Sequence, residues 1–301
     1  MQTIEQWIDH CRDALEAAGV SFGHGTDNAG DEAAWLVLLA LGRAVDGAGT
    51  AADEPVDDAG ARAIESLLQR RVGERVPLAY LAGRAWFAGL EFEVGPGVLV
   101  PRSPIAELVA ERFEPWIDAA RVRRVLDLCT GCGCIGIAVA RAFPAARVDL
   151  ADLSTQALAY ARRNVARHGL GDRVEVVASD GFSALAGRRY DLVVTNPPYV
   201  SRAEFDTLPA EYRAEPAMGL RSGEDGLDLP LRILADAPAH LTAGGTLVCE
   251  VGESREALEA LLPRVPFLWP DLAHGGFGVF ILDRAELEAA APDVRAALEK
   301  R

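Results

Sequence analysis

Apolar positions recur along this chain with two periods, and the change from one to the other divides it. Near the start Ile4, Trp7, Ile8, Cys11 and Leu15 return at helical spacing, as do Ala34, Val37, Leu38 and Leu41. Gly19 to Asp27 separates these stretches as a loop. Gly47 to Gly60 is acidic and rich in glycine and alanine, after which Ala61 to Arg71 resumes a helix with Ile64, Leu67 and Leu68 on its apolar face. No constellation of chemical groups appears in this helical part, so its expected role is scaffolding or the presentation of a substrate.

From Ala85 the pattern becomes that of strands. Ala85-Trp-Phe-Ala-Gly-Leu-Glu-Phe-Glu-Val94, then Gly95-Pro-Gly97, then Val98-Leu-Val100 predict a hairpin about the Gly-Pro-Gly turn. Pro101-Arg-Ser-Pro-Ile105 ends it and opens a helix carrying Ile105, Leu108, Val109 and Phe113, with Pro104 tolerated in the first turn. Beyond Arg124 short apolar runs (Val125–Leu128, Val148–Ala151, Val174–Val177, Asp191–Val194, Thr246–Cys249) alternate with amphipathic stretches such as Ser154 to His168. Repeated β-α units predict an α/β fold whose mostly parallel sheet is covered on both faces. Phe277 to Leu282 reads as a further strand and Arg284 onward as a charged terminal helix. The expected division is a helical N-terminal domain over 1–84, a linking β-hairpin over 85–104 and an α/β domain over 105–301.

Composition narrows what such a fold can do. Half of the 301 residues are apolar, enough for a real core without covalent staples. Acidic residues outnumber basic ones by 45 to 30, a net charge of −15, which disfavours extended contact with a bare phosphate backbone and suits a basic protein partner. Direct sequence-specific nucleic-acid binding is therefore not expected. The longest apolar run, Ala33 to Leu41, is far short of a membrane span and no basic-then-apolar leader is seen, so a cytoplasmic location without membrane contact is expected. The five cysteines are an odd number clustered in the interior of the chain, and disulfides are not expected.

Three of those cysteines fall in Cys129-Thr-Gly-Cys-Gly-Cys134. As a metal knuckle they would supply three thiolates, but no second cysteine pair offers a fourth, and the stretch runs from an apolar strand straight into an apolar helix, Ile135 to Phe143. No metal site is expected. As a nucleotide-type loop the same residues fit better: Gly131 and Gly133 permit a tight turn and close backbone approach, Thr130 sits in the turn, and Asp127 lies near the strand end where open α/β sheets bind ligands. Such a loop does not by itself separate a dinucleotide from S-adenosylmethionine. Asp152 ends the next strand and can accept both hydroxyl protons of a ribose, or else cap the helix after it. Asp180 ends the third strand on the same rim, placed to accept from an adenine amino group or simply to form a turn.

The most specific stretch is Asp191-Leu-Val-Val-Thr-Asn-Pro-Pro-Tyr-Val200. Pro197 and Pro198 cannot donate backbone hydrogen bonds, so the carbonyls of Asn196 and Pro197 are held outward and stiff. The Asn196 side chain adds an acceptor and Tyr199 an aromatic face. Together they can grip a planar nitrogen by its two hydrogens and stack its plane.

With these residues the chain resembles the Asn-Pro-Pro-Tyr class of S-adenosylmethionine-dependent methyltransferases and, with its helical N-terminal unit, the protein-glutamine N5-methyltransferases. The resemblance spans about 85 to 283 and rests also on Ala85-Trp-Phe-Ala-Gly-Leu-Glu-Phe92, Val100-Pro-Arg-Ser-Pro-Ile-Ala-Glu107, Leu208-Pro-Ala-Glu-Tyr-Arg-Ala-Glu-Pro216 and Gly223-Glu-Asp-Gly-Leu-Asp-Leu229. It implies a Rossmann-like seven-stranded methyltransferase sheet, S-adenosylmethionine as cofactor, and methylation of a glutamine amide.

Two branches of that family differ in substrate. The chain is similar to the branch acting on ribosomal protein L-three of the large subunit. The branch acting on the Gly-Gly-Gln motif of peptide-chain release factors carries a threonine where Ile105-Ala106 stand, a glycine at the position of Cys129, and a tryptophan near the adenine where this chain has Gly181 beside Phe182.

The resemblance implies Asn196, Pro197 and Tyr199 as catalytic residues. It implies Asp127, Thr130, Gly131, Gly133, Asp152, Asp180 and Asn196 toward the cofactor, and Asn196, Pro197, Pro198, Tyr199 and Arg102 toward the substrate. For Arg102 and Glu107 a structural salt bridge is the open alternative. For the acidic run Glu204 to Asp228 the alternatives are a face for a basic protein and a solvated loop.

Overall fold

A computed structural model of the chain describes residues 1–273 and 276–301. Four helices open it: α1 (Ile4–Ala17), α2 (Ala29–Ala40), α3 (Asp58–Gly73) and the short α4 (Leu78–Ala82). Each long one begins where a side chain satisfies an orphaned backbone N–H. Thr3 and Gln6 form a capping box, Asn28 accepts from Asp31, and Asp57 accepts from Gly60, which carries α3 back from the expected Ala61 to Asp58. The buried side of α1 is Ile4, Trp7, Cys11 and Leu15, the stripe that the spacing predicts.

The linking hairpin differs from expectation. β1 (Arg84–Phe87) and β2 (Leu90–Glu93) pair with Phe87 opposite Leu90, so the chain turns at Ala88-Gly89 rather than at Gly95-Pro-Gly97. Both turn residues have positive φ, 49° and 75°, the geometry of a two-residue turn whose twist matches that of its strands. Gly95-Pro-Gly97 instead abuts the helix that begins at Thr155: Gln156 Nε2 donates to the Pro96 carbonyl at 2.8 Å, and a Cβ on Gly97 would lie 2.1 Å from Gln156 Cδ. Helix α5 (Ile105–Ala110) buries Ile105, Leu108 and Val109 and stops short of Phe113, which takes φ 59°.

The α/β part follows as β3 (Arg124–Leu128), α6 (Cys134–Ala142), β4 (Arg147–Asp152), α7 (Thr155–Arg167), β5 (Val174–Ala178), β6 (Tyr190–Thr195), α8 (Arg202–Thr207), α9 (Asp228–His240), β7 (Leu241–Glu250), α10 (Arg255–Leu261), β8 (Val279–Asp283) and α11 (Arg284–Leu298). The sheet order is β5-β4-β3-β6-β7-β8, parallel except for β8. Among the described residues this sheet has six strands where seven are expected. The seventh position is a single antiparallel bridge, Leu268 to Ile281, because Pro266 and Pro270 on either side lack the N–H a ladder needs.

Alternate strand residues enter two cores. Val125, Val148, Leu192, Val248 and Ile281 share one with α6, the hairpin and the N-terminal helices, through Ile137, Phe92, Trp7 and Leu36. Leu126, Leu128, Val193, Leu247 and Leu282 share the other with α9 and α11.

A buried ionic clamp adds to this packing. The guanidinium of Arg71, on α3, is fully buried and donates to Glu32, to Glu211 Oε1 at 3.2 Å and to the Ser21 carbonyl at 2.8 Å. Glu211 also accepts from the Ser21 N–H at 3.1 Å. Thus the segment after α8 is fastened to the N-terminal helices. Arg71→Ala strands two buried carboxylates and should cost about 3–5 kcal/mol in urea unfolding; a loss below about 1 kcal/mol would contradict this account of the clamp.

Candidate active site

The sheet changes winding direction between β3 and β6: β4 and β5 lie on one side of β3, while β6 and β7 lie on the other. The crevice outside the strand ends at such a switch point is where open α/β sheets bind ligands. Both motifs found in the sequence meet there. Thr195, ending β6, donates its hydroxyl to the Leu128 carbonyl at 2.7 Å, tying the two strand ends together.

After Leu128 the loop needs backbone conformations that glycine provides most cheaply. Gly131 and Gly133 take φ 57° and 87°, and Cys129 holds φ 59°, a left-handed conformation in a non-glycine residue. Asp127 is fully buried beneath the loop. Its Oδ2 accepts from Thr130 Oγ1 at 2.5 Å and from the Gly136 N–H at 2.8 Å. Burial pushes its carboxyl up to about 7, against the pull of those two bonds, and its Oδ1 has no hydrogen-bond partner among the described residues. Gly133 faces Leu150, Ile137 and Ala161 rather than open space. Asp127 and Gly133 therefore shape the loop from behind.

Thr130, Gly131, Asp152 and Asp180 line a cavity of about 320 Å³, together with Leu153, Ile135 and Asn196. Asp152 Oδ2 accepts from the Gly131 N–H and Oδ1 from the Ser154 N–H, both at 2.8 Å. Ser154, not Asp152, caps α7 by accepting from the Ala157 N–H, and Asp152 accepts from the Ser154 N–H in the turn before it. Asp180 accepts from exposed Arg232 at 3.1 Å. Leu153 is 57 % exposed on the cavity wall, whereas Phe182 turns away and stacks on His240 with centroids 4.6 Å apart. Cys129, Cys132 and Cys134 all border the cavity, the last two while buried in the core, and the Cys129 thiol is pushed up by burial and by Asp152. Among the described residues no three His, Cys, Asp or Glu side chains converge as metal donors.

A second cavity of about 290 Å³ adjoins the first and is walled by Asn196, Pro197, Tyr199, Glu204, Glu250, Glu253 and Phe277. Asn196 and Arg102 border both cavities, while Pro198 lines only the first. Tyr199 is held on several sides. Its phenol donates to Glu250 Oε1 at 2.7 Å, its carbonyl accepts from Ser254 Oγ at 2.7 Å, and a Cβ on Gly252 would lie 2.6 Å from its ring. Glu250 is a site residue that the motif reading missed. The rule that picked out Asp152 would have found it, since both are carboxylates ending a parallel strand.

Arg102 forms a two-pronged pair with buried Glu215, at 2.7 and 2.6 Å, over the ring of Tyr212. Glu215 also accepts from the Val100 N–H at 2.8 Å, with His24 Nε2 standing 3.6 Å away. Glu107 accepts from the Ala273 N–H at 2.5 Å. Within the acidic run, Glu211 and Glu215 are buried and ion-paired, and Glu224 and Asp225 pair with Arg202 and Arg301. Glu211 and Glu215 are thus neutralised inside the protein, while Glu224 and Asp225 are paired at its surface.

Residues 6–83 match the PrmC N-terminal domain family and residues 107–212 the methyltransferase small domain family. The chain is 50 % identical over 290 residues to the ribosomal protein uL3 glutamine methyltransferase of Xanthomonas campestris, covering 96 % of this chain and 94 % of that protein. It is 46 % identical to the protein of the same name from Bordetella pertussis, covering 95 % and 97 %. Among solved structures, the hMettl16 catalytic domain in complex with a 3′UTR hairpin matches with a TM-score of 0.50 at 17 % identity, covering 75 % of this chain and 81 % of that one, a likeness of fold alone.

The Arg102–Glu215 pair gives the site a pH signature. Burial alone would raise the Glu215 carboxyl, but Arg102 and His24 outweigh it and lower it from 4.5 to about 2. A depressed acid stabilises the fold above its unfolded value and ceases to do so as pH falls from about 4.5 to about 2. Chemical unfolding followed across that window should show a shallower pH slope for Glu215→Gln than for the parent; equal slopes would remove Glu215 from the acid response.

Proposed function

The chain belongs to the ribosomal protein uL3 glutamine methyltransferase family, and from that premise we propose that it methylates the side-chain amide nitrogen of a glutamine in uL3, with transfer occurring at Asn196. One observation carries the assignment of the site: Asn196 is in the wall of both cavities, so a donor in one and an amide in the other meet at this side chain.

The larger cavity fits S-adenosylmethionine. Its size is that of a small-molecule site, Thr130 and Gly131 offer the loop edge, Asp152 and Asp180 offer acceptors for ribose and adenine groups, and exposed Leu153 offers an apolar face. The unpartnered Asp127 Oδ1 beneath the loop leaves an acceptor for a bound polar group or water. When bound, the cofactor supplies an electrophilic methyl group on a sulfonium centre.

The chain's own residues must overcome a poor nucleophile, because the amide lone pair is delocalised into its carbonyl. The Asn196 side-chain oxygen and the Pro197 carbonyl each accept one amide hydrogen, which aims the lone pair toward the first cavity. Two prolines in succession keep those carbonyls stiff and free of competing N–H donors. Tyr199, anchored through Glu250, Ser254 and Gly252, closes the far side of the amide plane. Alignment of this kind can contribute on the order of 7–11 kcal/mol. No strong general base is required, since the proton can leave after transfer.

The same reading assigns a helical presenting domain to 1–84, a linking hairpin segment to 85–104 and the methyltransferase domain to 105–301, in keeping with the family matches over 6–83 and 107–212. Arg102 serves the substrate side indirectly, joined to Glu215 at the border of both cavities.

Incubation of the purified chain with methyl-labelled S-adenosylmethionine and, separately, uL3, a release factor and undermethylated ribosomal RNA should place label on a glutamine of uL3. Label only in release factor, or only in RNA, would overturn the substrate assignment. Asn196→Ala should lower the rate on the order of 10²-fold while leaving cofactor affinity within a small factor. Asp152→Ala should do the reverse, weakening cofactor binding first.

A further inference from the structure

Resting on that reading of the site, we propose that Glu250 is a positioning residue of the methyl transfer, its carboxylate holding Tyr199 by the phenol and placing negative charge beside the nitrogen that becomes positive. The sheet sets this up. Register pairs Thr195 with Cys249, so Glu250 leaves β7 level with Asn196, on the strand adjacent to the one that carries the Asn-Pro-Pro-Tyr loop. Glu250 is 4 % exposed, yet it walls the second cavity beside Asn196, Pro197 and Tyr199. It does not border the first.

The hydrogen bonds around the carboxyl suit its ionised form. The Ser103 hydroxyl donates to Glu250 Oε2 at 2.5 Å and itself accepts from the Ile105 N–H at 3.2 Å. The Tyr199 phenol donates to Oε1 at 2.7 Å. Both oxygens therefore act as acceptors, the arrangement of an ionised carboxylate. Arg102, on the same cavity wall, is engaged in its fork with Glu215, and among the described residues the Glu250 charge has no direct ion pair. Among the described residues the other ionisable groups around it are Tyr199, Glu204, Tyr212, Glu253 and, one residue back on its own strand, Cys249. None of these supplies a positive charge.

A carboxylate in a sheltered wall that is not tied into an ion pair acts strongly on charge that develops nearby. In this reaction positive charge passes from sulfur to the amide nitrogen as the methyl group moves. Glu250 thus favours a transition state in which part of that charge has reached the nitrogen beside it over a ground state in which the amide is still neutral and the charge sits on sulfur, beyond anchoring Tyr199. Burial pushes its carboxyl above the ordinary glutamate range, against the pull of Ser103, Tyr199 and Arg102, so acidification discharges it earlier than a surface glutamate. The rate should fall as pH drops through that raised value. Protonation removes the charge and turns one acceptor oxygen into a donor, so the hydroxyl of Ser103 or Tyr199 that faces it must switch from donating to accepting.

The test compares parent, Glu250→Gln, Glu250→Asp and Tyr199→Phe enzymes in single turnover, from acid to neutral pH, on whichever acceptor the parent labels. A wrong choice of protein substrate then leaves this test intact. Glu250→Gln should lose rate on the order of 10²-fold and lose the parent's acid limb, with cofactor affinity and thermal midpoint close to parent. Glu250→Asp should restore the acid limb and part of the rate. Tyr199→Phe should be slower than parent yet keep the limb, because the carboxylate remains. A Glu250→Gln enzyme with parental rate and profile would overturn the proposal. So would a loss of rate that is matched by lost cofactor binding or a collapsed thermal midpoint.

Discussion

Adjacent pairing of β3 with β6, from Val125 opposite Leu192 to Leu128 opposite Thr195, is the contact on which the site depends. It brings together strand ends 67 residues apart in sequence. In each half the chain leaves its central strand toward its own edge of the sheet, so only at this junction do the loops diverge and open a crevice. The glycine loop supplies one wall of that crevice and the Asn-Pro-Pro-Tyr loop the other. Thr195, fully buried, spans the junction with its hydroxyl, so a shift of one strand end is felt by the other.

Carboxylates then hold each loop at a defined height. Asp127 grips the glycine loop from below through Thr130 and Gly136, and Gly136 must lack a side chain, since a Cβ there would lie 2.8 Å from Asp127 Cβ and 2.1 Å from Leu150 Cδ2. Asp152 holds the same loop from the side through the Gly131 N–H. Glu250 does for Tyr199 what Asp127 does for the glycine loop, a buried acid whose acceptors fix a neighbouring turn. Each of these residues stands within or at the end of a parallel strand, because that rim is where the sheet leaves room for polar side chains above its packed interior.

How much of this was legible in the sequence follows from which interactions are local. Strands and helices announced themselves through period and caps, and the two loops through glycine and proline, whose backbone limits act within a few residues. The hairpin was misplaced because Gly95-Pro-Gly97 looks like a turn in isolation. Its glycines in fact serve a long-range approach by Tyr160 and Gln156, while the tight turn fell on Ala88-Gly89, only one of whose residues is a glycine. The seventh strand was implied by family likeness, and two prolines reduced it to a bridge. Asn196 and Tyr199 could be named from their motif, whereas Glu250 lies outside it: its place at the end of a parallel strand was the signal available, and its partners lie 51 and 147 residues away. The pairing within the acidic run is hidden for the same reason. Composition counts charges, and the partners that neutralise Glu211 and Glu215 lie in Arg71 and Arg102, far back along the chain.

Those two buried pairs explain why a helical unit without chemistry of its own matters to the site. Taking Arg71, Glu32, Glu211, Arg102 and Glu215 out of water is costly, and apolar residues of similar bulk could provide comparable adhesion. Apolar contact, however, permits sliding, whereas a forked guanidinium accepts its carboxylates in one geometry. Glu211 and Glu215 flank Tyr212 in the segment that follows the Asn-Pro-Pro-Tyr loop, and Tyr212 lines the second cavity beneath the Arg102 fork. Locking this segment to α3 on one side and to the exit of the hairpin on the other fixes the cavity's outer wall relative to the N-terminal helices. A substrate protein that docks on those helices would therefore meet an amide pocket already in register with its docking surface, and alignment at Asn196 would be set in part by residues that never touch the glutamine.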